Sequence, residues 1–98
     1  MSGLDDLIHQ PARLRIMAAL GSLRLREQVD FNFLKDKLDL TDGNLGAHLR
    51  ALEDAGYIAL EKTFVKRRPK TYAAATAAGR KAFAGHVEAL QAILGKSR

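Results

Sequence analysis

Lys66, Arg67, Arg68 and Lys70 fall in five consecutive positions broken only by Pro69. Cations this close repel one another, and an evenly solvated surface rarely needs such a density; what they offer is a grip on a polyanion. A basic turn can also keep an edge hairpin from pairing with its neighbours, but four charges exceed that need. The other reactive side chains are His9, His48 and His86. A metal site needs several imidazole, thiolate or carboxylate groups converging on one point. The chain has no cysteine, and His86 and Glu88, two positions apart, point to different sides of a helix. His86 is accordingly read as polar surface. No serine or carboxylate pair has a histidine or second acid at a spacing suited to catalysis, so the expectation is no catalytic residue, no metal, no cofactor and no enzyme.

The charge is placed unevenly. Met1 to Asp30 is balanced and Phe31 to Gly56 is slightly acidic, whereas Tyr57 to Thr76 has five bases against one acid and Ala77 to Arg98 has four against one. The net charge of +5 is thus C-terminal. Ninety-eight residues make one small domain, 1–98, whose modest core leaves little chain to wall off a deep cavity. Without cysteine, stability comes from packing, and a reducing compartment fits. No apolar run approaches the ~20 residues needed to cross a bilayer, and Asp5 and Asp6 stand where a secretory signal would be basic and then apolar. A cytoplasmic location with no membrane partner is expected.

The residues that could hold a polyanion must be positioned by the rest. Leu4, Leu7 and Ile8 suggest a short opening helix that ends before Pro11, and Pro11 then starts a mostly buried central helix running to about Gly21. Leu23 to Gln28 reads as a charged loop and Val29 to Phe31 as a very short strand. Phe33, Leu34 and Leu38 share one helical face, which predicts a two-turn helix capped near Asn32. Thr41 is a good N-cap for the next helix, in which Leu45, Leu49 and Leu52 line one side and which Gly56 ends. From Tyr57 the period becomes two: Ile58, Leu60 and Phe64 alternate with Ala59, Glu61 and Thr63, the pattern of a strand with one buried face. A second strand is expected from about Lys70 to Ala75, with Val65 to Pro69 as the hairpin tip. Thr76 caps a last helix, on which Phe83, Val87, Leu90 and Leu94 keep to one stripe with Ile93 beside it.

Helix, helix, helix, strand, strand, helix, with two short helices joined by a tight turn and a basic hairpin straight after, is the order of a winged helix-turn-helix. This is a mainly α fold with a small β-hairpin wing, here 41–55 as recognition helix, 57–75 as wing and 76–95 as C-terminal dimerisation helix. A helix about 10 to 12 Å across fits the ~12 Å major groove of DNA while a basic hairpin beside it reaches phosphates or the minor groove. The stretches PARLRIMAAL, LTDGNLGAHLRALEDAGYI and TAAGRKAF resemble MarR-like, ArsR-like and PadR-like bacterial transcription regulators. Leu45, His48, Leu49, Leu52, Gly56, Tyr57 and Ile58 match the motif L-x-x-H-L-x-x-L-x-x-x-G-[YL]-[IV], and Thr76, Gly79 and Arg80 match the helix start after the wing. The resemblance implies a dimer that binds promoter DNA. Asp42 and Gly43 depart from the serine, threonine or alanine common at the start of the recognition helix.

On this reading Thr41, Asp42, Gly43, Asn44, Gly46, Ala47, His48 and Arg50 form the outward face of the recognition helix. Asn44 can pair with adenine and Arg50 with phosphate, while Gly43 and Gly46 let the backbone approach DNA. Asp42 either accepts from cytosine or supports the helix N-terminus, and His48 is a phosphate donor or a packing partner. Lys62, Lys66, Arg67, Arg68 and Lys70 hold phosphates, with Arg67 or Arg68 the candidate for minor-groove insertion. Leu4, Leu7, Ile8, Phe83, Val87, Leu90, Ile93 and Leu94 are the expected homodimer interface. An interaction module that docks an acidic protein is the alternative, and the sequence names no effector.

Overall fold

The computed structural model describes residues 4–24 and 27–95. Gln10 is extended and its side-chain oxygen accepts from the Arg13 N–H at 3.1 Å, and Pro11, which has no N–H to lose, opens α1 (Pro11–Gly21). Ile16, Met17 and Leu20 make α1 the buried central helix. β1 (Val29–Asp30) leads directly into α2 (Phe31–Leu38), which Asp39 closes in the left-handed conformation at φ 56°. Arg15 of α1 donates to the Leu38 carbonyl at 3.0 Å and satisfies one of the acceptors that the end of α2 leaves open. α3 (Asp42–Asp54) follows, then the hairpin of β2 (Ile58–Val65) and β3 (Arg68–Ala75), then α4 (Ala77–Ile93).

The sheet is antiparallel in the order β1-β3-β2, with β1 contributing only two pairs, Val29 with Ala73 and Asp30 with Tyr72. Register fixes the faces of the hairpin. Ile58, Leu60, Lys62 and Phe64 stand opposite Ala75, Ala73, Thr71 and Pro69 on one face, and Ile58, Ala73 and Ala75 bury that face in the core. α1 packs on β3 where the inward residues are alanines, small enough to admit a helix at close range. Leu34 and Leu38 of α2 and Leu45, Leu49 and Leu52 of α3 complete the core, together with Ile8 from the N-terminal segment.

Four sequence expectations are corrected. The opening segment is a single turn over residues 6–9, without a helix: the Asp5 carboxylate accepts from the N–H groups of Leu7 and Ile8, and Pro11 leaves no room for a second turn. α2 begins one residue earlier than Asn32, with Asp30 in the cap position, and Phe33 is 54 % exposed because Phe31 takes the inward place beside Leu34. The hairpin is longer than the pattern of residue types suggests, its strands reaching Val65 and Arg68, and Phe64 lies beyond the core instead of inside it. His86 is buried at 1 % exposure, not polar surface. Of the loop expected over Leu23 to Gln28, Leu25 and Arg26 lie outside the described residues.

Candidate nucleic-acid interface

Thr41 and Gly56 bound a helix with a continuous exposed face. The Thr41 hydroxyl accepts from the Asn44 N–H at 3.1 Å, and Gly56, at φ 82°, adopts the left-handed conformation that ends α3. The leucine side of α3 enters the core, which leaves Asp42, Gly43, Asn44, Ala47 and Arg50 exposed. A side chain added at Gly43 or Gly46 would meet nothing within 4 Å, so packing within the chain does not demand glycine at either position. Asp42 stands in the first turn of α3, where a negative charge is favoured, and pairs with Lys35 of α2 at 2.9 Å. That hydrogen bond and the carboxylate charge hold the Lys35 ammonium above its ordinary pKa. His48 faces α1: its Nδ1 accepts from Arg13 Nε at 3.2 Å. Burial first, and then the Arg13 charge, hold the His48 imidazole below its ordinary pKa, and with Nδ1 accepting, the neutral ring carries its proton on Nε2 as a donor.

The hairpin closes through two residues only, because Val65 pairs with Arg68. Lys66 and Arg67 both have positive φ, 53° and 68°, as the central positions of a type I′ turn require, although asparagine and glycine are the usual occupants. Two cations thus occupy the tip at some cost in backbone strain. Lys62, Lys66, Arg67 and Arg68 are exposed and have no ion pair among the described residues. Lys70 is different: it reaches back to Asp30 at 3.2 Å, which ties the hairpin to the start of α2 and occupies that charge. Between α3 and the hairpin lies an open groove of about 550 Å³, lined by two bases, Arg50 and Lys62, and one acid, Glu53, beside the apolar Phe31, Leu49 and Leu60.

The two halves of this surface are joined at their bases. Thr76 donates from its N–H to the Tyr57 carbonyl at 3.0 Å and from its hydroxyl to the Gly56 carbonyl at 2.7 Å, and the same hydroxyl accepts from the Gly79 N–H at 3.0 Å. α4 comes so close to Tyr57 here that a Cβ on Gly79 would lie 1.9 Å from the Tyr57 carbonyl oxygen. Arg80, one residue on, donates to the carbonyls of Gly21 and Arg24 at 3.2 and 2.9 Å and fastens α4 to the end of α1. Tyr57 also donates its hydroxyl to the Asp5 carboxylate at 2.5 Å, and the Asp5 N–H donates to His86 Nδ1 at 3.0 Å. Burial raises the Asp5 carboxyl, but hydrogen bonds from Tyr57, Ile8 and Leu7 outweigh it and hold the group below its ordinary pKa. Burial, with the neighbouring His9, depresses His86. Sequence reasoning missed this latch because its members lie 52 and 81 positions apart. Among the described residues, no group of three or more histidines and acids could hold a metal ion.

The residues expected at a dimer interface divide. Ile8 is wholly enclosed in the chain's own core, which leaves it no surface for a partner; Leu7 and Phe83 pack against that core, the Phe83 ring lying beside Gly21. Leu4, Val87 and Leu90 are half-buried, and Ile93 and Leu94 are 58 % and 67 % exposed at the end of α4.

The sequence model of the winged helix DNA-binding domain matches residues 12–94. An uncharacterised protein of Methanocaldococcus jannaschii is 42 % identical over 81 residues, which span 83 % of this chain and 85 % of that protein. The solved structure of a transcriptional regulator homologue from Pyrococcus horikoshii superposes with a TM-score of 0.82 at 31 % identity, over 91 % of this chain and 85 % of the other. NadR, solved with 4-hydroxyphenylacetate, superposes with a TM-score of 0.69 at 22 % identity, over 91 % of this chain and 63 % of its own, a likeness of fold. No helix among the described residues is long and apolar enough to cross a membrane.

Proposed function

The chain belongs to the winged helix DNA-binding domain family, and on that premise we propose that it is a sequence-specific transcription regulator acting as a homodimer on double-stranded DNA. α3 enters the major groove, and the hairpin lies on the phosphates or in the minor groove. The observation that carries this reading is the set of four exposed cations on the hairpin, Lys62, Lys66, Arg67 and Arg68, which have no ion pair among the described residues, with Lys62 lining the groove that Arg50 of α3 also lines. A sugar-phosphate strand fits that groove with Arg50 and Lys62 on its phosphates, while Asn44 and Ala47 face base edges. Gly43 and Gly46, which packing does not require, bring the helix backbone close to the duplex. Lys70 contributes to the local potential but is committed to Asp30.

A reading head this small discriminates poorly against a genome of competing sites, so two are needed. The exposed end of α4 at Ile93 and Leu94, continued by Leu90 and Val87 and joined by Leu4 and Leu7, supplies the two-fold contact in this proposal. The test is binding to the DNA upstream of its own reading frame at several salt concentrations. Replacing Arg67 and Arg68 by alanine should lower the slope of log K against log salt by about 0.9 for each lost phosphate contact. An unchanged slope would take the wing off the phosphates. Failure of the wild type to bind any duplex would favour an acidic protein as the partner of this surface.

A further inference from the structure

Phe64 is an aromatic side chain left 71 % exposed near the tip of the hairpin, where Val65, turned to the opposite face, is the other exposed large apolar residue. Its direction is settled by register: it shares a face with Leu60 and Lys62, both of which line the groove beside α3, and it stands opposite Pro69. The inward face of the hairpin therefore continues past the end of the core and finishes in an apolar pair, phenylalanine on one strand and proline on the other. Lys62 lies two positions before the ring on the same face, Lys66 and Arg67 form the turn beyond it, Glu61 and Arg68 are on the opposite face, and Glu53 of α3 lines the groove further in. The turn between the strands has only two residues, Lys66 and Arg67, both with positive φ, so the tip is short. An apolar ring in a belt of cations, on the side that α3 reads from, suits a ligand whose outside is anionic and whose inside is stacked and apolar.

We propose that Phe64, backed by Pro69, is a wedge that the wing presses into the minor groove, partly unstacking a base step and bending the duplex, while the surrounding cations hold the phosphates on either side. This rests on the reading of the hairpin as a DNA-binding wing. Phenylalanine and proline are among the side chains suited to such insertion, since a base step opened by an apolar ring exchanges one stacking partner for another. The wedge adds a preference for easily kinked pyrimidine–purine steps, which requires no hydrogen bond to a base.

Phe64→Ala, Phe64→Leu and the Arg67→Ala/Arg68→Ala double variant, each checked for folding by circular dichroism, should be compared with the wild type on one end-labelled duplex of the upstream DNA. Binding is read over a salt series and bending by energy transfer between the ends. Phe64→Ala should weaken binding by about tenfold at every salt concentration with the salt slope unchanged, and should straighten the duplex. Phe64→Leu should keep much of the bend, and the double arginine variant should flatten the slope. If Phe64→Ala binds and bends like the wild type while the arginine variant flattens the slope, the wedge is refuted and the DNA-binding wing stands. If no duplex is bound by any form, the wing reading fails and the wedge with it. Loss of binding to anionic phospholipid vesicles on Phe64→Ala, with DNA binding intact, would assign the ring to a lipid surface and refute the wedge.

Discussion

Gly79→Ala should unfold the junction between the wing and α4, and the effect can be estimated from distances. The added methyl carbon would lie 1.9 Å from the Tyr57 carbonyl oxygen, 2.7 Å from its carbonyl carbon and 3.0 Å from its Cα. All three are backbone atoms of the residue just before β2, so no side chain can swing away. Either α4 or β2 must move by more than an ångström, at a cost of about 1–3 kcal/mol for overpacking. That movement weakens the Thr76 hydrogen bonds to Tyr57 and Gly56, each contributing about 1 kcal/mol. Alanine recovers about 1 kcal/mol of helix propensity over glycine, leaving a net loss of about 2–4 kcal/mol, equivalent to a fall in Tm of about 10–25 °C for a domain this size. Gly85→Ala is the internal control, because in the same helix its Cβ would meet nothing within 4 Å; it should raise stability by about 0.5–1 kcal/mol. Thermal unfolding followed by circular dichroism reads both. A Gly79→Ala protein as stable as the wild type would refute the close approach of α4 to Tyr57.

Asn44→Ala should relax preference at one base-pair position of each half-site by about 1–3 kcal/mol with little change in non-specific affinity; equal weakening on all sequences would make Asn44 a backbone contact. The folded-state pKa values of His86 and His48 lie below the ordinary 6.5, so the unfolded chain binds more protons as pH falls through 6.5. Stability present above that pH is therefore lost on acidification, Tm should be lower at pH 5 than at pH 8, and His86→Gln should narrow the difference; a Tm equal at both pH values would contradict the burial of these rings. Ile93→Glu with Leu94→Lys should give a folded monomer, since both positions are exposed, and sedimentation of this variant as a dimer would place the two-fold contact elsewhere.

α3 was legible because all of its determinants are local: a threonine cap, leucines at i, i+4 and i+7, and a glycine to stop it. The wing was legible from a change of period at Tyr57 and a run of cations. Alternation reveals which face a strand residue takes, but not where the core beneath that face ends, and so Phe64 reads as buried in the sequence and is exposed in the fold. Lys70 reads as a fifth phosphate ligand because its partner, Asp30, is 40 positions away. Longer separations, 59 and 81 positions, hide Arg80 on the end of α1 and His86 on Asp5, where a lone arginine or histidine in a helix carries no mark of the carbonyl or N–H it meets. Gly79 was visible as a motif position, and only the packing of α4 on Tyr57 gives the reason.

The junction of Gly56, Tyr57, Thr76 and Gly79 sits where the end of α3, the base of the hairpin and the start of α4 meet, so hydrogen bonds and a close backbone approach join these three elements at one point, as the frame of a caliper joins its jaws. In the proposed function its two jaws, the outward face of α3 and the cationic tip, are set from a common base before any ligand arrives, which leaves less freedom to be lost on binding. A caliper with fixed jaws also measures: a duplex whose grooves are spaced differently from its span must itself deform to be held, and its compliance then becomes part of what is recognised.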